Sequence, residues 1–160
     1  MKFTRFRKTA AGTLAAIAAT LLFLTSIARA AEQGPVRINF KKCLVPDKSD
    51  FGGYYRGGVD GDLGVGNVIF TFASLAAGAT TAAGEVIIWR FSGIYTITTP
   101  EGAISAFAAG TDNLGSGIGH NVLNGAVIAG AYLGAQVQVR ALDTDGGLCS
   151  QGTITITPTK

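Results

Sequence analysis

Charge is scarce in this sequence. Asp, Glu, Lys and Arg make up 14% of it, against 48% apolar residues, a balance that excludes a disordered, self-repelling chain. Proline occurs only four times and cysteine twice, so neither a polyproline segment nor a multiply bridged mini-scaffold is available. There is one histidine, His120, in a polar, glycine-rich stretch from Thr111 to Asn121. One such histidine gives no zinc ligand set and no Ser-His-Asp arrangement, and it reads as a solvated loop residue. Asp60-Gly61-Asp62 lacks the spacing of an EF-hand calcium loop. No metal or cofactor is expected from these residues. Amphipathic helical periodicity is also missing beyond the first thirty residues, which points away from helical bundles.

What is present begins with a targeting pattern. Lys2, Arg5, Arg7 and Lys8 precede an uncharged, mostly apolar run from Thr13 to Ala28, too short for a comfortable membrane span. Ala28-Arg29-Ala30 supplies the small-x-small cleavage site, so residues 1–30 read as a secretory signal peptide and 31–160 as one exported domain. Cys43 has no lipoprotein-type sequence before it, so no anchor is expected after cleavage, and the product is secreted or periplasmic. Five of the 13 basic residues and none of the 10 acidic ones lie in residues 1–30, so the remainder carries a net charge of −2. No basic stripe with interleaved aromatics remains, which excludes a nucleic-acid partner. In an exported chain, Cys43 and Cys149 are expected to form a disulfide fastening the N-terminal segment to the last hairpin.

The 23 glycines punctuate short β-rich runs. Strands are predicted over Val36–Phe40, Arg56–Leu63, Asn67–Ala73, Glu85–Phe91, Ile94–Thr99, Ala103–Ala109, Val122–Ala129, Tyr132–Leu142 and Gly152–Thr157. Lys41–Gly53 reads as loop, Leu75–Gly84 as a loose loop or short helical turn, and Asp143–Gly147 as a turn. Gly130 and Gly134 flank Ala131-Tyr132-Leu133 and suit positions of positive φ. About eight antiparallel strands in sequential hairpins fit an up-and-down β-barrel, whose closure removes exposed edges; a two-sheet β-sandwich is the runner-up.

Gly130-Ala131-Tyr132-Leu133-Gly134-Ala135, with the alternating strand after it, resembles the Gly-Arg-Phe/Tyr-x-Gly-Ala element of the allene oxide cyclase and dirigent superfamily. Ile94-Tyr95-Thr96-Ile97-Thr98-Thr99-Pro100-Glu101-Gly102-Ala103-Ile104-Ser105 and Cys149-Ser150-Gln151-Gly152-Thr153-Ile154 are similar to strands of small secreted bacterial relatives. The likeness runs from Ile94 to Thr157. Ala131 departs from the usual basic residue, and Val127-Ile128-Ala129 from the Gly-Gly-Thr that often precedes it. The resemblance implies an eight-stranded antiparallel barrel, often trimeric, with a central apolar cavity in members that act on ligands. It carries over no catalytic residue.

Arg56, Asp60 and Asp62 share strand parity and form the most site-like group: an arginine between carboxylates can orient the polar end of a ligand or separate an acid from a base. Tyr95, Tyr132 and Trp89, with Tyr54 and Tyr55, are candidates to stack on an aromatic ligand. Glu85–Phe91 is apolar on both faces, so one face needs a cover, and a homo-oligomer, a trimer by the resemblance, would provide it. Two functions fit: an exported, non-enzymatic barrel that binds a small apolar ligand or serves as a structural oligomer, and an isomerase, cyclase or dirigent-like guide acting inside the barrel. A third reading, a cell-surface interaction domain using the Thr-rich face of the final hairpin, names no partner.

Overall fold

A computed structural model describes residues 34–48 and 51–159. The expected signal peptide and its cleavage site lie outside these residues. The strands are β1 (Val36–Pro46), β2 (Gly53–Gly61), β3 (Gly66–Thr80), β4 (Val86–Thr99), β5 (Gly102–Asn113), β6 (His120–Gly130), β7 (Gln136–Thr144) and β8 (Cys149–Thr157). Each pairs antiparallel with the next, and β8 returns to β1, closing an up-and-down barrel rather than a sandwich. The connections 47–52, 81–85, 114–119 and 145–148 lie at one end, here called the upper mouth; 62–65, 100–101 and 131–135 lie at the other.

Several boundaries differ from the sequence expectation, and most of the differences lengthen a strand. Glu85–Phe91 and Ile94–Thr99 are one strand, β4, because Gly93 does not break the ladder but leaves room for the Phe70 ring beside it. Leu75–Gly84 is largely the second half of β3, which pairs with β4 through three register irregularities. That segment covers the edge of Val86–Arg90, not one of its faces. β1 continues past Phe40 to Pro46, through what reads as loop. Tyr132 belongs to a turn, not to β7, and holds a left-handed φ of 65° between Gly130 (φ 87°) and Gly134 (φ 83°). Gly130 needs its missing Cβ, which would collide with the Ala103 carbonyl.

Alternation sends every second residue inward. Val68, Ile97, Leu123, Val139, Ile154 and Ile156 expose none of their surface, and Ile38, Phe70 and Tyr95 almost none. Burying each such side chain is worth about 1.5–3 kcal/mol. The space that a central apolar cavity would occupy is therefore taken up by side chains through the middle and lower barrel.

Cys43 and Cys149 stand directly across the β1–β8 seam with their sulfurs at bonding distance, 2.13 Å. The bridge closes a loop with a sequence separation of 106, and it fits an oxidising compartment. Without reductant, neither cysteine should react with an alkylating agent. Reduction, or replacement of both by alanine, should lower stability by about 2–4 kcal/mol while leaving the β-type circular dichroism in place, since the core does not depend on the bridge. Two freely alkylated thiols in the exported protein would contradict this.

Candidate functional site

Among the described residues, the buried polar side chains gather at the upper mouth. Along β1 the inward residues run Val36, Ile38, Phe40 and then Lys42. Lys42 faces Ser150 on β8, and Ser150 in turn faces Asp143 on β7. Asp112 on β5 faces Asn121 on β6. Lys42, Asp112, Asn121 and Ser150 are all buried, between 4% and 8% exposed.

Beneath and around them lies an aromatic lining. Phe70 packs on Tyr95 at 4.6 Å between ring centroids and on Phe72 at 5.0 Å. Phe72 also meets Tyr55, Phe91 and Phe51, the last on the connection between β1 and β2. The Lys42 Nζ sits among these rings, 4.3 Å from the centroid of Tyr55, 4.7 Å from Phe70, 5.5 Å from Tyr95 and 5.6 Å from Phe40. Ring faces stabilise an ammonium by about 0.5–2 kcal/mol, less than burial costs it. Burial accordingly lowers the Lys42 amine to about 7, against a smaller opposing pull from the Asp143 charge. The Tyr95 hydroxyl is pushed well above its ordinary value, first by burial and then by Asp143 and Tyr55, so it stays protonated. Tyr55 is raised for the same leading reason, and its hydroxyl donates to the Gly147 carbonyl at 2.9 Å, tying the 145–147 turn over the mouth.

Asp112 and Asp143 meet over Gly119. A side chain on Gly119 would collide with Asp143 Oδ2 and Asp112 Oδ1 together, so the two oxygens converge on one small space. The Gly119 carbonyl accepts the Asp143 N–H at 2.8 Å, which holds the 114–119 connection down at this point. Asn121 Nδ2 donates to Asp143 Oδ1 at 2.7 Å, leaving Oδ2 to face its neighbour. Asp112 Oδ1 is buried and receives no hydrogen bond from any donor group. A carboxyl beside a carboxylate resolves that deficit only if one of them keeps a proton. Burial, then the Asp143 charge, then its hydrogen bond push Asp112 up to about 7. The mouth thus holds an amine and a carboxylic acid that both exchange protons near neutrality, the matching required of a general base and a general acid.

The residues picked out by sequence fall elsewhere. Arg56, Asp60 and Asp62 are all exposed, so the inward orientation that an Arg–carboxylate site requires is not found. Asp60 accepts from Asn39 Nδ2 and Asp62 from the Arg37 N–H, both at 2.8 Å, so these carboxylates serve the outer wall and the lower end. The reason is parity: β2 turns Tyr55, Gly57 and Val59 inward, and Arg56 and Asp60 out. Tyr95 is in the aromatic lining, and Trp89 is half-buried at the upper rim opposite Asp112. Tyr132 is at the lower end, so the three do not form one surface. Tyr54 is half-buried on the outward parity of β2.

Lys42, Asp112 and Asp143 were hidden in stretches that read as loop, loop and turn. One signal pointed to Lys42: it continues the period-two series Val36, Ile38, Phe40 and immediately precedes a cysteine expected to bond β1 to the last hairpin. An open depression of about 600 Å³ on the outer wall, with His120, Arg140 and Gln151 around it, lies over Ala141 and Gly152, where the wall carries small side chains, and reaches Phe40 and Asn121 beside the mouth. Among the described residues no group of three or more His, Cys, Asp and Glu is placed to hold a metal ion. No family model, curated protein or solved structure matches the chain.

The two shifted groups fix a pH profile. Asp112 is raised in the folded protein, so its contribution to stability is full below the ordinary carboxylate range and is lost as pH rises to about 7. Lys42 is lowered, so its contribution is full above the ordinary lysine range and is lost as pH falls to about 7. The slopes meet in a stability minimum near neutrality. Asp112→Asn should raise the melting temperature at pH 7 and above, by an amount equivalent to about 1–3 kcal/mol, and leave it unchanged at pH 4. Lys42→Met should raise it at pH 7 and below, not at pH 10.5. Thermal melts from pH 4 to 10.5 check both, and identical profiles for the variants and the parent would refute the assignment.

Proposed function

We propose that this protein is an exported barrel that binds a small molecule at its upper mouth, through a flat apolar body laid on the aromatic lining and one polar end reaching Lys42 and the Asp112–Asp143 pair. The observation that carries the reading is Lys42: a buried amine placed among four rings, where a methionine would pack at lower cost. The disulfide supports export, and the signal-like residues 1–30 agree with it. The resemblance to the allene oxide cyclase and dirigent superfamily supports a ligand-handling barrel, with the ligand set at the mouth because side chains occupy the middle. Thermal-shift and native mass spectrometry with a panel of small aromatic alcohols, phenols and carbonyl compounds test it. Binders should raise the melting temperature and quench Trp89 at the rim, and Lys42→Met should weaken them about tenfold or more. A panel without a single binder would end the proposal.

A second reading, an isomerase or cyclase, is favoured by one observation: the mouth holds both a buried amine, Lys42, and a buried carboxyl, Asp112, each pushed by burial toward its neutral form. It rests on those two residues rather than on Arg56, Asp60 and Asp62.

Assembly is part of the proposal. Outward positions of β3 to β6 form a wall of Ile69, Thr71, Ile94, Thr96, Phe107, Ala126 and Ile128, with no ionisable side chain among them. Ile94 faces Phe107 directly, and each exposes more than a third of its surface. Val86 to Trp89, by contrast, are half-buried within the chain. The interface of a homo-oligomer, with a trimer as the expected state, therefore belongs on the middle of this wall rather than at the start of β4. Light scattering at micromolar concentration should give a trimer mass, and Phe107→Glu should convert it to a monomer with unchanged circular dichroism. A parent protein that is already monomeric would overturn the assembly.

A further inference from the structure

We propose that Lys42 is a covalent docking point for carbonyl compounds: its amine condenses with the aldehyde or ketone of a ligand seated in the aromatic mouth, forming an iminium. The inference rests on the reading of the mouth as a small-molecule site, and narrows its ligand to a class. Four features of the geometry support it.

Lys42 is 5% exposed, whereas Lys41 and Lys48 on either side of it in sequence are exposed. Its neighbours are ring faces, and Asp143 acts on it through its charge rather than by capping the nitrogen. An amine held this way keeps its lone pair for a carbon electrophile. The same rings that surround an ammonium also surround an iminium, which carries the same charge at the same nitrogen. The walls, Phe70, Phe72, Tyr55 and Tyr95, are aromatic, and apolar walls favour loss of water, the last step of condensation. Asp143, whose charge acts on Lys42, meets Asp112 over Gly119, and the acid is assigned to Asp112.

The step balances as follows. The Nζ lone pair of neutral Lys42 adds to the carbonyl carbon, and the π electrons move to oxygen. A proton passes from nitrogen to that oxygen, giving a neutral carbinolamine. The protonated carboxyl of Asp112 gives its proton to the hydroxyl, the C–O bond breaks, and water leaves as the nitrogen lone pair forms the C=N bond. One amine, one carbonyl and one proton become one iminium and one water, with no oxidant or reductant consumed. The carboxylate left behind balances the iminium charge. A planar aromatic aldehyde fits this site best, since its ring stacks on Tyr55 or Phe70 while its carbon reaches Nζ.

The test uses the exported protein with its disulfide intact, benzaldehyde at pH 7 and cyanoborohydride, which reduces an iminium to a stable secondary amine. Peptide mapping should find one benzyl group on Lys42, introduced about tenfold or more faster than on Lys41 or Lys48. Asp112→Asn should slow labelling of Lys42 by about tenfold or more and leave Lys41 and Lys48 unchanged. Benzyl alcohol, which has the same ring and no carbonyl, reads the binding site alone through the melting temperature. Label confined to Lys41 and Lys48, with benzyl alcohol still stabilising the protein, would overturn the covalent step and leave the binding site standing. No label on Lys42 and no stabilisation by benzyl alcohol would overturn both. Equal Lys42 labelling in Asp112→Asn would remove the carboxyl pair from the step.

Discussion

A closed sheet of eight strands has a single interior, and everything the chain buries must share it. In this protein the apolar inward residues of all eight strands fill the lower and middle barrel, Ile38, Val68, Phe70, Ile97, Leu123, Val139, Ile154 and Ile156 among them. The buried polar inward groups gather at the upper end, where Asp112, Asn121 and Ser150 occupy the last turned-in positions of their strands and Lys42 sits one inward position short of Leu44 on β1. They are too deep for full hydration and too few for full pairing. Their shifted protonation follows from that position, since a charge pressed toward the dry end of a packed barrel is pushed toward its neutral form.

This arrangement contributes little to stability. An amine among rings and a carboxyl facing a carboxylate are both arrangements that an apolar replacement would improve on. The barrel bears them because its other elements are stable without them: ladders close all the way round, and the disulfide joins the two strands at the seam. Strained or uncompensated groups in an otherwise consistent fold are where chemistry tends to be found.

Much of the architecture was legible in the sequence because it depends on period-two alternation and glycine placement. Val137, Val139 and Ala141 alternate as β7 requires, the hairpin across Pro100–Glu101 forms, and Gly130 and Gly134 hold positive φ. The candidate site was much less so. Alternation is carried by apolar residues, and its signal stops where the inward residue is charged. β1 therefore seemed to stop at Phe40, one inward position short of Lys42, and Asp112 and Asp143 fell into the stretches beyond β5 and β7 for the same reason. The error at Arg56, Asp60 and Asp62 is of another kind. Shared parity was correctly read, but parity does not say which face is inside; Val59 and Tyr55, on the opposite parity, decide it.

The position of the disulfide along the seam also sets how the barrel bears load. The described chain starts and stops at the lower end, on neighbouring strands, while Cys43 and Cys149 cross-link those strands near the upper end. Tension applied at Gly34 and Thr159 would peel β1 from β8 one pair at a time, from Val36–Ile156 upward, and halt at the bridge. Fully extended, the freed segments span about 60 Å. Freeing them also strips β1 from β2 and β8 from β7 below the bridge, after which the force runs through the covalent Cys43–Cys149 link rather than through the strands between. The bridge thus sets a fixed stop to such peeling, and because the Lys42–Ser150 pair is the last to part before it, a pull on the ends reaches the mouth only after the rest of the seam has opened.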